Sequence, residues 1–165
     1  MGGGDNEYYD RHVTATDKTS GPRGYSADAE RILDQKQIDP ALLPRGFRLE
    51  CVARNPLVYC FDVTGSMGKL PKIIWDKWPG IVGQVIARKY LPDAEMSIAA
   101  VGDIRSDKSP LQVCEFDSLR NLDRWLKRIH FEGNGGGQGS ESYEMVAYYY
   151  LHYFDMPNVG CQFFS

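Results

Sequence analysis

Three oxygen-bearing side chains stand at alternate positions directly after an apolar run. Leu57–Phe61 is uninterrupted apolar sequence, and Asp62, Thr64 and Ser66 follow it. On an extended turn, alternate residues can direct one carboxylate and two hydroxyls toward one point. These oxygens, together with water, suit a hard divalent cation such as Mg²⁺, whereas zinc favours nitrogen and sulfur ligands. The same residue types also cap helices, and their spacing alone fits a helix cap equally well.

The elements around this segment alternate between strands and helices. Continuous apolar runs indicate strands buried on both faces, and apolar residues three and four apart indicate amphipathic helices. Pro79 and Gly80 lie inside the first predicted helix, where we expect a kink or a short break. The predicted strands are Leu57–Phe61, Met96–Val101, Leu111–Phe116 and Gly160–Phe164, and the predicted helices are Leu70–Tyr90, Leu119–Ile129 and Glu141–Phe154.

This order of elements predicts an α/β fold with a mostly parallel sheet. The connection Arg105–Pro110 is too short for a parallel crossover, so it predicts one antiparallel strand, at an edge of the sheet. Sites in open α/β sheets form beyond the carboxyl ends of the strands. We therefore expect two segments to meet there, Asp62–Gly68 and the glycine-rich Gly133–Glu144.

Composition excludes several classes of protein. The chain has 165 residues, of which 42% are apolar and 25% charged, with a net charge of −3. The acidic balance argues against nucleic-acid binding, and no apolar run approaches the roughly 20 residues of a membrane-spanning helix. The N-terminus lacks the regions of a signal peptide, so we expect a cytoplasmic protein with no membrane partner. The four cysteines form no C-x-x-C pair, which favours buried free thiols.

The chain changes character near residue 54. Residues 1–53 are polar and are predicted to form a partly disordered N-terminal arm with a short helix near 27–37. Ser26 is placed to cap that helix, and Pro40 and Pro44 prevent its continuation. Residues 54–165 are predicted to form the domain that carries the site.

The seven residues Phe61-Asp62-Val63-Thr64-Gly65-Ser66-Met67 resemble the D-x-[ST]-x-S signature of von Willebrand factor A-type (vWA) domains, also called integrin I-type domains. The resemblance runs from about Arg54 to Ser165 and implies a Rossmann-like three-layer α/β/α fold. In that family the motif forms the metal-ion-dependent adhesion site. The resemblance thus implies that Thr64 and Ser66 contact a metal directly and that Asp62 acts through water. The implied ion is Mg²⁺, with Mn²⁺ or Ca²⁺ possible.

A second loop refines the resemblance. Gly135-Gly136-Gly137-Gln138-Gly139-Ser140-Glu141-Ser142 is similar to the G-G-G-D-x-P-E-S loop of bacterial members of the family, which implies a metal-ligand role for Glu141. Gln138 replaces the usual Asp and weakens any case for a second cation, and Ser140 replaces the usual Pro. The alternative is that Glu141 and Glu144 merely favour the positive end of a helix capped by Ser140.

The sequence also departs from the family at its end. A complete domain of this family resembles a six-stranded sheet, with a further Asp after the fourth strand. The chain ends at Ser165, inside the predicted fourth strand, so we expect a C-terminally truncated domain whose last strands are missing. The strand beside the gap would then be an exposed apolar edge.

The resemblance implies a non-enzymatic binding module that docks an Asp or Glu of a partner protein on the metal. It further implies AAA+ ATPases of the MoxR type as a class of partner. One alternative is a structural subunit with a vestigial metal site. Another is a metal-assisted hydrolase, although no residue is evidently placed as its general base. Thr64–Gly68 also misses the G-x-S-x-G nucleophile pattern at its first position.

Overall fold

The computed structural model describes residues 26, 27, 29, 37–44, 46, 48–131 and 142–158. Strands and helices alternate along these residues, which supports the predicted α/β class. The strands are β1 (Leu49–Glu50), β2 (Asn55–Asp62), β3 (Ala94–Val101), β4 (Leu111–Val113), β5 (Asp117–Ser118) and β6 (Phe154–Asp155); the α-helices are α1 (Leu70–Ala87), α2 (Leu122–Leu126) and α3 (Tyr143–Tyr153).

In the described part of the sheet β3 is the central strand, with β2 parallel to it on one side and β4 and β5 on the other. The register of β2 and β3 runs from Asn55 opposite Ala94 to Asp62 opposite Val101, so the two strands end at the same edge. Helix α1 connects them, as the sequence predicts for a parallel crossover. This pair is the longest in the sheet, and it sets where the residues after Asp62 emerge.

Strands β4 and β5 run antiparallel to β3, which confirms the predicted hairpin after β3. Val101 of β3 lies opposite Leu111 of β4, whereas Met96 of β3 lies opposite Asp117 of β5. The register has shifted by one residue between the two pairings, which is the signature of a β-bulge. The predicted continuous strand Leu111–Phe116 is therefore shorter, because the extra residue interrupts the hydrogen-bond ladder.

Helix α1 continues through Pro79 without the short break that the sequence predicts there as the alternative to a kink. Proline removes one hydrogen bond to the preceding turn and would normally interrupt a helix. Here Trp78 and Val82, on either side of Pro79, are both buried in the core. Their packing holds the helix against the sheet and offsets the missing hydrogen bond.

Helices cover both faces of β3. Met96, Ile98 and Ala100 belong to a core shared with α1 and α2, while Ala99 and Val101 belong to a core shared with α3. This alternation follows from the two-residue period of a strand. Both faces of β3 are therefore buried, as its mostly apolar sequence predicts.

The residues assigned by sequence to the N-terminal arm include packed ones. Leu42 lies in the core of α1 and α2, and β1 pairs in parallel with β6. Ala27 and Ala29 are helical, and the Ser26 hydroxyl accepts a hydrogen bond from the Ala29 N–H, as predicted for a cap. None of the helices in the described ranges is both long and apolar enough to cross a membrane.

Candidate functional site at the end of β2

Asp62 ends β2 at the carboxyl edge of the sheet and is buried, with only 4% of its surface exposed. Its Oδ1 accepts a hydrogen bond of 2.6 Å from the Thr64 N–H. This contact turns the chain immediately after the strand, in the manner of an Asx turn. The carboxylate thus fixes the backbone that carries the two hydroxyl residues.

The hydroxyls of Thr64 and Ser66 lie together. Their Oγ1 and Oγ atoms are 2.8 Å apart, with Thr64 buried and Ser66 exposed. Neighbouring ligands of an octahedral ion at about 2.05 Å stand about 2.9 Å apart, so this spacing fits two adjacent Mg²⁺ ligands. The donors are hard oxygens, which Mg²⁺ prefers.

The helix-cap alternative does not describe these hydroxyls. The short 3₁₀ turn Gly65–Met67 begins after Thr64 without a side-chain cap hydrogen bond. Helix α1 begins after Lys69, also without one. In the described residues, the Thr64 and Ser66 hydroxyls therefore bond to each other and not to the start of a helix.

The charge of Asp62 is uncompensated in the described part of the chain. There the carboxylate accepts the one hydrogen bond from Thr64 and forms no ion pair. Buried carboxylates are costly unless a cation or a metal ion neutralises them. The neighbouring Cys60 thiol has a pKa raised to about 11, chiefly by burial and secondly by the charge of Asp62.

A small cavity of about 230 Å³ adjoins Thr64 and Gly65, with Lys72 and Phe131 in its wall. A water molecule occupies roughly 30 Å³, so the cavity has room for a hydrated ion or for a carboxylate group. Lys72 is a positively charged residue of this wall. Gly68, also in the wall, has φ +55°, a conformation that favours glycine.

The second predicted segment reaches the same edge of the sheet. The Ser142 N–H donates to the Gly102 carbonyl at 3.5 Å, and Gly102 directly follows Val101, the partner of Asp62 in the sheet. Ser142 is also the residue before α3. Glu141 itself, the predicted fourth ligand, lies outside the described residues.

Asp103 also follows β3 at this edge, but its carboxylate closes a turn. It accepts hydrogen bonds from the Arg105 N–H at 2.8 Å and the Ser106 hydroxyl at 3.0 Å. The Asp107 carboxylate in turn accepts from the Asp103 N–H. Asp103 therefore terminates the strand.

Two residues of the site have no signal in the sequence. Phe131 enters the cavity wall because Gln112 holds the adjacent residue: Gln112 Nε2 donates to the His130 carbonyl and Oε1 accepts from the His130 N–H, both at 2.8 Å. Lys72 lies on the first turns of α1, in an ordinary amphipathic pattern. Only the tertiary fold brings Phe131 and Lys72 beside Thr64.

In the described ranges, no three His, Cys, Asp or Glu side chains form a group that could hold a metal ion. The set at the end of β2 differs in kind, since it combines one carboxylate with two hydroxyls. Comparison of the chain with protein-family models, with curated proteins and with solved structures found no match.

Proposed function

We propose that this chain is a non-enzymatic, divalent-metal-dependent protein-binding module with a vWA-type, Rossmann-like three-layer fold. In this proposal it docks an acidic residue of a partner protein. The observation that carries the proposal is the pair of Thr64 and Ser66 hydroxyls, 2.8 Å apart beside a buried carboxylate without a cationic partner in the described residues. Paired hydroxyls beside an anion are what a small, hard cation needs.

Four residues would hold the ion. Thr64 and Ser66 would bind it directly, Asp62 would orient a bound water, and Glu141 would approach from the segment before Ser142. Mg²⁺ fits best, and Mn²⁺ or Ca²⁺ could replace it. When bound, the ion supplies a positive centre that a carboxylate from outside can reach, since Ser66 is exposed.

The size of the cavity supports an acidic partner, because about 230 Å³ leaves room for a carboxylate group next to Thr64. From the resemblance, we further propose a cytoplasmic setting and a MoxR-type AAA+ ATPase as a class of partner. The proposal assigns no catalytic residue.

The second candidate is a structural subunit with a vestigial metal site. It is favoured by Gln138, which stands where related loops carry Asp. In this case the chain would bind its partner equally well with and without a divalent ion.

A binding experiment separates the two candidates. The chain is tested against short peptides that each carry one Asp or Glu, and against matched peptides with Asn or Gln. We expect a subset of acidic peptides to bind in Mg²⁺ but not in EDTA, and to lose binding with Ser66→Ala. Ser118→Ala, at an exposed serine of β5, is the matched control. Equal binding in Mg²⁺ and in EDTA would support the structural subunit and would overturn the metal-dependent module.

A further inference from the structure

A large pocket lies against α3, apart from the end of β2. Its volume is about 610 Å³, and it is lined by Pro44, Leu111, Glu144, Tyr148, Tyr149 and Tyr153, among others. We call it the tyrosine pocket. Small-molecule sites have volumes of about 300–1,000 Å³ and mostly apolar walls, so both its size and its lining suit a small organic ligand.

Aromatic rings dominate the wall. Tyr149 and Tyr153 are stacked, with ring centroids 5.1 Å apart and planes 20° apart. Tyr148 is 59% exposed, and its ring centroid lies 4.3 Å from that of His152. Tyrosine faces carry negative electrostatic potential, which attracts organic cations.

The formal charge in the pocket is negative, like the potential of the tyrosine ring faces. Among the described residues that line it, Glu144 is the one with a formal charge. It forms no ion pair with any residue in the described ranges. An anionic ligand would be repelled by this carboxylate, whereas a ligand with a cationic end would be attracted by it. A cation satisfies both the carboxylate and the tyrosine rings.

We propose that the tyrosine pocket binds a small organic cation, an alkylammonium or arylalkylammonium with an apolar body. The ammonium group lies between Glu144 and the Tyr148 ring, and the apolar body fills the space toward Leu111 and Tyr149. This inference does not rest on the proposed metal site, since none of its residues is a predicted metal ligand.

The test uses the whole 165-residue chain and the probe benzyltrimethylammonium. Binding is measured by calorimetry and by NMR, in EDTA so that no divalent ion contributes. The first comparison is the neutral isostere neopentylbenzene, which has the same shape without the charge. We expect the cation to bind about tenfold more tightly than this isostere, because the cation–π attraction and the carboxylate act on charge alone.

Variants locate the binding. We expect Glu144→Gln to weaken the cation about tenfold, Tyr148→Ala to weaken it about threefold to tenfold, and Tyr148→Phe to retain it, since phenylalanine keeps the ring face. Both positions are exposed, so the variants should fold as the parent does. Glu50→Gln and Tyr90→Ala are matched controls at exposed positions outside the pocket.

Three results with the small probes would overturn the proposal. These are equal affinity for the cation and its isostere, unchanged affinity in Glu144→Gln, or no saturable binding of the cation. Tighter binding of a lysine-containing peptide than of the free cation would also overturn it, because the pocket would then serve a protein partner.

Discussion

The hydroxyl oxygens of Thr64 and Ser66 lie 2.8 Å apart at the carboxyl end of β2, where Asp62 is buried. The arrangement is set by the backbone, because the Asp62 carboxylate accepts from the Thr64 N–H and turns the chain. The hydroxyls do not cap the helix that follows. A strand end, a turn and a glycine at positive φ together present oxygen atoms at one place.

We predict that Mg²⁺ raises the Tm of the parent chain but not that of Asp62→Asn. A ligand that binds only the folded state stabilises it by about 2.7 kcal/mol at a hundred times its Kd. Asparagine keeps an acceptor for the Thr64 N–H and removes the charge, so in EDTA the variant should be as stable as the parent or more stable. Thermal unfolding in Mg²⁺ and in EDTA provides the check. An equal Mg²⁺-induced shift in both proteins would contradict a role for this carboxylate.

We predict that Gln112→Ala destabilises the chain by about 2–4 kcal/mol, because it removes the two hydrogen bonds from Gln112 to the His130 backbone and opens a cavity. Gln112 is fully buried, with 0% exposure. Urea unfolding measures the loss, and Gln84→Ala, at an exposed position of α1, is the control. A loss no larger than that of the control would show that Gln112 does not hold the segment beside Phe131.

The Asp39–Arg128 ion pair should give part of the stability a dependence on acid pH. Arg128 Nε donates to Asp39 Oδ2 at 2.6 Å, and chiefly this hydrogen bond holds the pKa of Asp39 below its ordinary value of 3.8. A depressed carboxyl pKa stabilises the fold above the unfolded pKa. That contribution is lost as the pH falls through the folded pKa.

Asp39→Asn should therefore cost about 1 kcal/mol at pH 7, the upper range for a partly exposed pair, and less below pH 3. Unfolding by urea at both pH values measures the difference. The Arg128 Cζ atom also lies 4.8 Å from the centroid of the Trp125 ring. Arg128→Met keeps an apolar side chain there and therefore serves as the second arm of a double-mutant cycle. A cost of Asp39→Asn that does not change with pH would contradict the ion-pair account.

Much of the fold follows from local sequence, and the exceptions have physical causes. The parallel pair follows from two runs of mostly apolar residues, and the antiparallel strand follows from the short Arg105–Pro110 connection. The bulge between β4 and β5 depends on cross-strand register, which no local pattern reveals. The continuous helix through Pro79 depends on core packing of Trp78, and tertiary packing overrides local propensity.

The candidate site divides in the same way. Spacing alone identifies Asp62, Thr64 and Ser66 as candidate ligands, because the side chains of alternate residues on one turn can point in the same direction. Lys72 and Phe131 come from other segments and are placed by the fold. Glu141 and the predicted strand Gly160–Phe164 lie outside the described residues, so their roles stay predictions.

Calorimetric titration of Mg²⁺ into the chain tests the metal site most directly. We predict saturable binding at one site, weakened at least about tenfold by Ser66→Ala, because loss of a group that only supports a metal ligand already costs about tenfold to a hundredfold. Ser66 is exposed, so this variant should keep the stability of the parent in EDTA. Ser118→Ala should bind as the parent does. Absence of Mg²⁺ binding, or equal affinity in the parent and Ser66→Ala, would contradict the proposed metal-dependent function.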